Sequence, residues 1–177
     1  MRFLLVLLAG ALLGAPSDRY ARVVLNADGS VTVAIEDGRL ITPNVRLYDA
    51  DMKNVGAEQA AVAADHQSVG WLVRFYSSPT SYPKPLKLVI LTDARMLTLG
   101  ESERPIGFWS FQDGGARVAL YRTPANGLVI LSYELWDVKS GNRVADYQCE
   151  REDGQFICRS PQPAWVKALD AAEAKSR

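Results

Sequence analysis

The sequence predicts an all-β domain of antiparallel meanders with one short C-terminal helix. The first observation is a series of short runs rich in Val, Ile, Leu, Tyr and Trp, among them Arg22–Leu25, Val31–Ile35, Gly70–Tyr76, Leu86–Leu91, Ala116–Tyr121, Leu128–Trp136 and Arg143–Tyr147. Turn residues bound them, as at Asp28-Gly29, Asp37-Gly38, Asp113-Gly114-Gly115, Ala125-Asn126-Gly127 and Ser140-Gly141-Asn142. Short strands with regularly spaced turns are the pattern of an antiparallel β domain. The second is alternation: Val129, Leu131, Tyr133 and Leu135 fall on one face of a strand, and Ser132 and Glu134 on the other, which predicts one apolar and one polar face. The third is size. A chain of 177 residues, 48% apolar, suits one globular domain and can bury roughly 68–70% of its unfolded surface.

The chain opens on a leader. Arg2 is followed by the uncharged run Phe3–Leu13 and the small residues Gly14, Ala15, Pro16 and Ser17, the layout of a secretory signal peptide. The run is shorter than the roughly 20 residues a spanning helix needs, and no later run reaches that length. Residues 1–17 are expected to be removed, leaving residues 18–177 as a single β-rich domain in the periplasm or the medium. Removal takes one base and no acid, so the net charge of zero becomes −1.

The cysteines fit an oxidising space. Asp153-Gly154 is a type I′ hairpin signal, because both central residues of that turn need positive φ. Centred there, Glu152 faces Gln155, Arg151 faces Phe156, Glu150 faces Ile157 and Cys149 faces Cys158. That last pair is non-hydrogen-bonded, where side chains approach most closely, and this suits a disulfide. The disulfide hairpin is expected over about 145–160. Pro163 can start a helix, and Trp165, Leu169 and Ala172 share one face of it, giving a helix over about 163–175 that covers a sheet face or edge. Residues 53–64 fit a short helix or a strand equally.

Three copies of a weak repeat run from Asp28 to Asp49, Asp65 to Asp93 and Asp113 to Asp137. Each opens on an Asp turn and carries two strands. Residues 107–147, with Phe111, Asp113-Gly114, Trp136-Asp137 and Ser140-Gly141, resemble one blade of WD-repeat and related β-propeller proteins. The resemblance implies blade-like sheets at about 22–50, 62–93 and 107–147. Propellers close with four to eight blades and this chain has room for about three, which implies an incomplete propeller or a sandwich. Trp71, Ser81-Tyr82-Pro83, Pro85-Leu86, Trp109, Tyr133-Glu134-Leu135 and Trp165-Val166 also resemble a group of small secreted bacterial proteins of uncharacterised function. That resemblance brings no activity with it.

Composition excludes several functions. Zero net charge excludes a polybasic nucleic-acid binder and a disordered chain. One His and two Cys exclude a His-rich or Cys-rich zinc site and any mechanism that needs two histidines. No Gly-rich phosphate loop joins a strand to a helix, so no nucleotide or other cofactor is implied. His66, in Asp65-His66-Gln67-Ser68, has no nucleophile elbow beside it and reads as a surface turn. Asp49-Ala50-Asp51 starts like a calcium loop, but Lys53, Asn54 and Ala60 stand where Asp or Asn, Gly and Glu are required, so no metal site is expected. The four tryptophans read as core.

Two readings of function remain. The first is a non-catalytic module binding a protein or cell-envelope component, with self-association left open. Its face would be the irregular segment 77–85, where prolines reduce the entropy lost on binding, Tyr82 offers an amphipathic ring and Lys84 a charge. The alternative is a carboxylate-dependent envelope hydrolase using Glu134, in which a second carboxylate would set the stereochemistry.

Overall fold

The computed structural model describes residues 19–44, 54–76, 82–93, 95–100, 104–124 and 130–177. The architecture is antiparallel β, in three meander sheets that do not close into a barrel. The first sheet runs β1 (Tyr20–Leu25), β2 (Val31–Ile35), β3 (Leu40–Ile41). The second runs β4 (Asn54–Val62), β5 (Ser68–Phe75), β6 (Lys84–Thr92), β7 (Met96–Leu99). The third runs β8 (Ile106–Gln112), β9 (Arg117–Arg122), β10 (Ile130–Asp137), β11 (Arg143–Glu152), β12 (Gln155–Cys158). Helix α1 (Ala164–Ser176) ends the chain.

The recurring aspartates have a local role. A short carboxylate can bond a backbone N–H a few residues on and so close a turn. Asp28 accepts from the Ser30 N–H at 2.9 Å, Asp37 from Arg39 at 2.9 Å, Asp65 from Gln67 at 3.0 Å and Asp137 from Ser140 at 2.6 Å. Hydrogen bonds to the charged form favour it. The Ser30 hydroxyl and N–H hold the Asp28 carboxyl below its ordinary value, and Ser140 does the same for Asp137. The aspartate turns do not all lie at one end. Tyr20, at the start of β1, donates its N–H to the His66 carbonyl at 2.7 Å, while a Cβ on Gly29 would come within 3.0 Å of the Gly56 Cα. The Asp28 turn therefore sits beside the start of β4, and the Asp65 turn beyond its end.

The sheets stack in chain order. On β5, Val69, Trp71, Val73 and Phe75 pack with Val31, Val33 and Ile35 of the first sheet. Leu72, with Leu88 and Ile90, packs on Trp109, Val118 and Leu120 of the third. A strand buried on both faces reads as a continuous apolar run rather than an alternating one. Gly70 is required by this packing: a Cβ there would meet Ile90 Cδ1 at 2.6 Å and Trp109 Cη2 at 2.7 Å. The far face of the third sheet, with Tyr133, Leu135 and Cys149, is covered by α1 through the fully buried Val166 and Leu169.

The hairpin has the register expected from its turn. Cys149 pairs with Cys158, Glu150 with Ile157, Arg151 with Phe156 and Glu152 with Gln155. Asp153 and Gly154 have φ of 49° and 84°, as a type I′ turn needs. Cys149 and Cys158 form a disulfide with Cα atoms 4.1 Å apart. Cys149→Ser is expected to cost about 2.7 kcal/mol on the chain-entropy account of a loop of about ten residues, read from urea denaturation of the oxidised protein. An unchanged midpoint, or two free thiols in native material, would refute the bond.

One open reading is resolved and two expectations need correction. Residues 54–62, in a stretch that fits a helix or a strand equally, form a strand. The chain there is rich in Ala, and bulges at Asn54/Gly56 and Glu58/Ala61 break the alternation that marks a strand. Ser132 and Glu134 are buried, at 8% and 7% exposure, because the second sheet covers the face expected to be wet. The helix buries Val166 and Leu169, leaving Trp165 and Ala172 half-buried. Trp71 and Trp109 are core, whereas Trp136 is also only half-buried.

Candidate functional site

Turns of the second and third sheets gather at one end of the stack. A cleft of about 480 Å³ lies between them, lined by Asp65, Ser68, Asp93, Arg95, Asp137 and Lys139 among others. Its charged groups are largely engaged in the fold. Asp65 and Asp137 close their own turns, and Arg95 donates to the Lys139 carbonyl. His66 belongs to the neighbouring turn with φ +62°. Its Nδ1 lies 3.1 Å from the Tyr20 carbonyl oxygen and 3.1 Å from the Glu36 carboxylate, so it ties β1 to the β4–β5 turn. Among the described residues no group of three or more His, Cys, Asp or Glu could hold a metal. Most of the calcium-like segment 49–54 lies outside the described residues.

Glu134 sits mid-strand on β10, opposite Leu120 of β9 and Asp146 of β11. Asp146 is exposed. Glu134 accepts from Arg122 Nε at 2.8 Å on Oε1 and from Trp136 Nε1 at 3.0 Å on Oε2. Arg122, 2% exposed, also donates from Nη1 to the Arg104 carbonyl at 3.0 Å. Arg104 returns a bond to the Arg122 carbonyl at 3.3 Å and donates to that of Ile130. Burial, reinforced by the Arg122 charge, lowers the Arg104 pKa. Gly100, at φ +113°, makes room for this cluster, since a Cβ there would lie 3.0 Å from Arg122 Nη2 and 2.7 Å from the Leu86 carbonyl oxygen. Each Glu134 oxygen thus accepts one internal hydrogen bond, and the arrangement ties β9 to β10.

A second cluster has no signature in the sequence. Tyr133 on β10 pairs with Tyr121 on β9 and Tyr147 on β11, with ring centroids 5.7 Å and 6.1 Å apart. Side chains directly opposite on neighbouring strands lie close enough to interact, but sequence spacing does not announce them. The ladder lies under α1, and Tyr121 donates to Glu173 at 2.9 Å. Burial and then the Glu173 bond push the Tyr121 phenol up to about 12. Burial and Asp170 push Tyr133 higher still. An unfolded tyrosine titrates near pH 10, so the native state keeps protons that the unfolded state loses above that pH. The stabilisation from Tyr121 is therefore complete below about pH 10 and is lost as pH rises towards about 12. Melting scans between those limits should show a falling midpoint, with a shallower fall in Tyr121→Phe. An equal slope in both proteins would contradict this account.

Tyr82 and Lys84 lie at the opposite end, where the chain enters β6. Tyr82 is 90% exposed. Lys84 is the first residue of β6 and pairs with Phe75. Tyr76, just past the end of β5, is 42% exposed, so two tyrosines flank residues 77–81, which lie outside the described residues. In the linear pattern Tyr82 stands out among prolines, whereas Tyr76 closes an apolar run and resembles a core residue.

No family model matches this chain, and no curated protein matches it. Among the described residues no helix is long and apolar enough to cross a membrane.

Proposed function

We propose that this chain is a secreted or periplasmic, non-catalytic binding module that recognises a protein or cell-envelope component through the β5–β6 end. The observation that carries the reading is Tyr82, a large aromatic side chain at 90% exposure, followed directly by Pro83, Lys84 and Pro85 where the chain enters β6. An exposed aromatic on a stiff connection suits recognition, because little conformational freedom is lost on binding. Loops carried on a rigid scaffold are common recognition sites. The three meander sheets supply the scaffold in the manner of stacked propeller blades. The disulfide is compatible with an oxidising compartment. The occupied Glu134 oxygens favour binding over hydrolysis.

The test is affinity capture with the tagged, oxidised mature chain in envelope extract and culture fluid, beside a Tyr82→Ala/Lys84→Ala variant of equal melting temperature. A partner recovered by the natural chain and lost in the variant is the expected result. Equal recovery by both chains would overturn the assignment of the face.

A further inference from the structure

We propose that a second copy of this chain pairs with the outer edge of β8, joining two third sheets into one continuous sheet. This goes beyond the binding reading and uses a different face. A sheet edge carries a row of backbone groups that can pair with another chain, and proteins blunt such edges by shortness, charge, proline or bulges. Here β3, β7 and β12 have two, four and four residues. β1 carries Arg22, and β4 carries Glu58 and two bulges. β8 has seven residues, with no charge and no proline. Its bulge lies at the start, between Ile106 and Phe108. Among the described residues β8 has β9 on one side and no strand on the other. Gln59 donates to the Gly107 carbonyl at 3.4 Å, at the bulge and outside the regular stretch 108–112.

A groove of about 590 Å³, lined by β4 and β8, flanks this edge. Its rim is small at Ala60, Ala61, Ala64 and Ser176, and none of the described lining residues is charged. Phe108 and Phe111 are half-buried beside it. A regular stretch of this kind pairs antiparallel with its own copy about its middle residue, Ser110. Such a two-fold contact is self-complementary and closes at two chains. Ser110 then lies opposite its own copy, Trp109 opposite Phe111 and Phe108 opposite Gln112. Cross-strand aromatic pairs stabilise a sheet, and like charges directly opposite destabilise it. This register supplies two such pairs and no charges, with the small serine at the two-fold. The formal net charge of zero adds no long-range repulsion between copies. A foreign strand would meet the same edge without this self-matching register.

The test is sedimentation of the oxidised mature protein from about 1 to about 200 μM, a range over which a reversible dimer declares itself by mass action. The expected result is a monomer that becomes a dimer as concentration rises. Both native cysteines are in a disulfide, so Ser110→Cys adds one free thiol. Residues directly opposite on paired strands lie close enough for a disulfide. Mild oxidation should cross-link Ser110→Cys at least about tenfold faster than Met96→Cys on the edge strand β7, because pairing raises the effective thiol concentration. Ser110→Arg, at unchanged melting temperature, should weaken self-association about tenfold by setting two cations opposite each other. A monomer at every concentration would overturn the proposal. So would a dimer in which Ser110→Cys cross-links no faster than Met96→Cys. Cross-linking of Ser110→Cys to a different protein in envelope extract, with this chain monomeric, would assign the edge to a foreign strand and also overturn it.

Discussion

Replacing Glu134 with alanine is expected to lower the unfolding free energy by about 3–5 kcal/mol, the range seen when one member of a buried ion pair is removed. The variant would leave the Arg122 guanidinium, 2% exposed, without its carboxylate and would deprive Trp136 Nε1 of its acceptor. Most of the cost is an uncompensated buried charge, not the worth of the contact itself. Arg122→Met/Glu134→Leu should therefore recover much of the loss, because a well-packed apolar pair is often as stable as a buried ionic one. Urea denaturation of the single and double variants reads both effects. A loss for Glu134→Ala of about 0.5 kcal/mol or less, ordinary for a surface change, would mean that water reaches the pair and that Glu134 is free for chemistry.

The second large effect comes from two adjacent residues of one strand. Trp71→Ala should cost about 3–5 kcal/mol and Leu72→Ala about 2–5 kcal/mol, as large-to-small core substitutions do. On a sheet with one wet face, neighbours on a strand alternate between core and solvent, and one of the two changes would be mild. Here Trp71 packs towards the first sheet and Leu72 towards the third, at 1% and 0% exposure. Two large losses would establish the second sheet as the middle layer. A mild Leu72→Ala would show that the third sheet does not cover it.

What the sequence disclosed follows the range of the interaction. The hairpin at Asp153-Gly154 was legible residue by residue, since a two-residue turn sets the register of everything beside it. β2 was legible because Val31–Ile35 is bounded on both sides by Asp turns. β4 was not, because alanine has weak strand preference and two bulges interrupt its pattern. The two-sided burial of β5 is written in the unbroken run Val69–Val73, but which sheets cover it depends on contacts far apart in the chain. The polar face of β10 misled for the same reason. Ser132 and Glu134 have the spacing of solvent-facing residues and are covered by a sheet that ends more than thirty residues earlier.

The candidate site divides the same way. Tyr82 and Lys84 stand out because prolines and polar residues interrupt strong strands, a local signal. The Arg122–Glu134 contact and the tyrosine ladder are cross-strand facts. Neither can be read without knowing that β9, β10 and β11 are neighbours.

The most direct test of the central claim is hydrogen–deuterium exchange of the oxidised mature protein, with and without the partner obtained by capture. The account predicts slowed exchange in the segment spanning residues 74–87 and no change in the turns at 63–67 and 137–142. Slowed exchange in those turns, with 74–87 unaltered, would place the binding face in the cleft beside Asp65 and Asp137 and contradict the assignment to Tyr82.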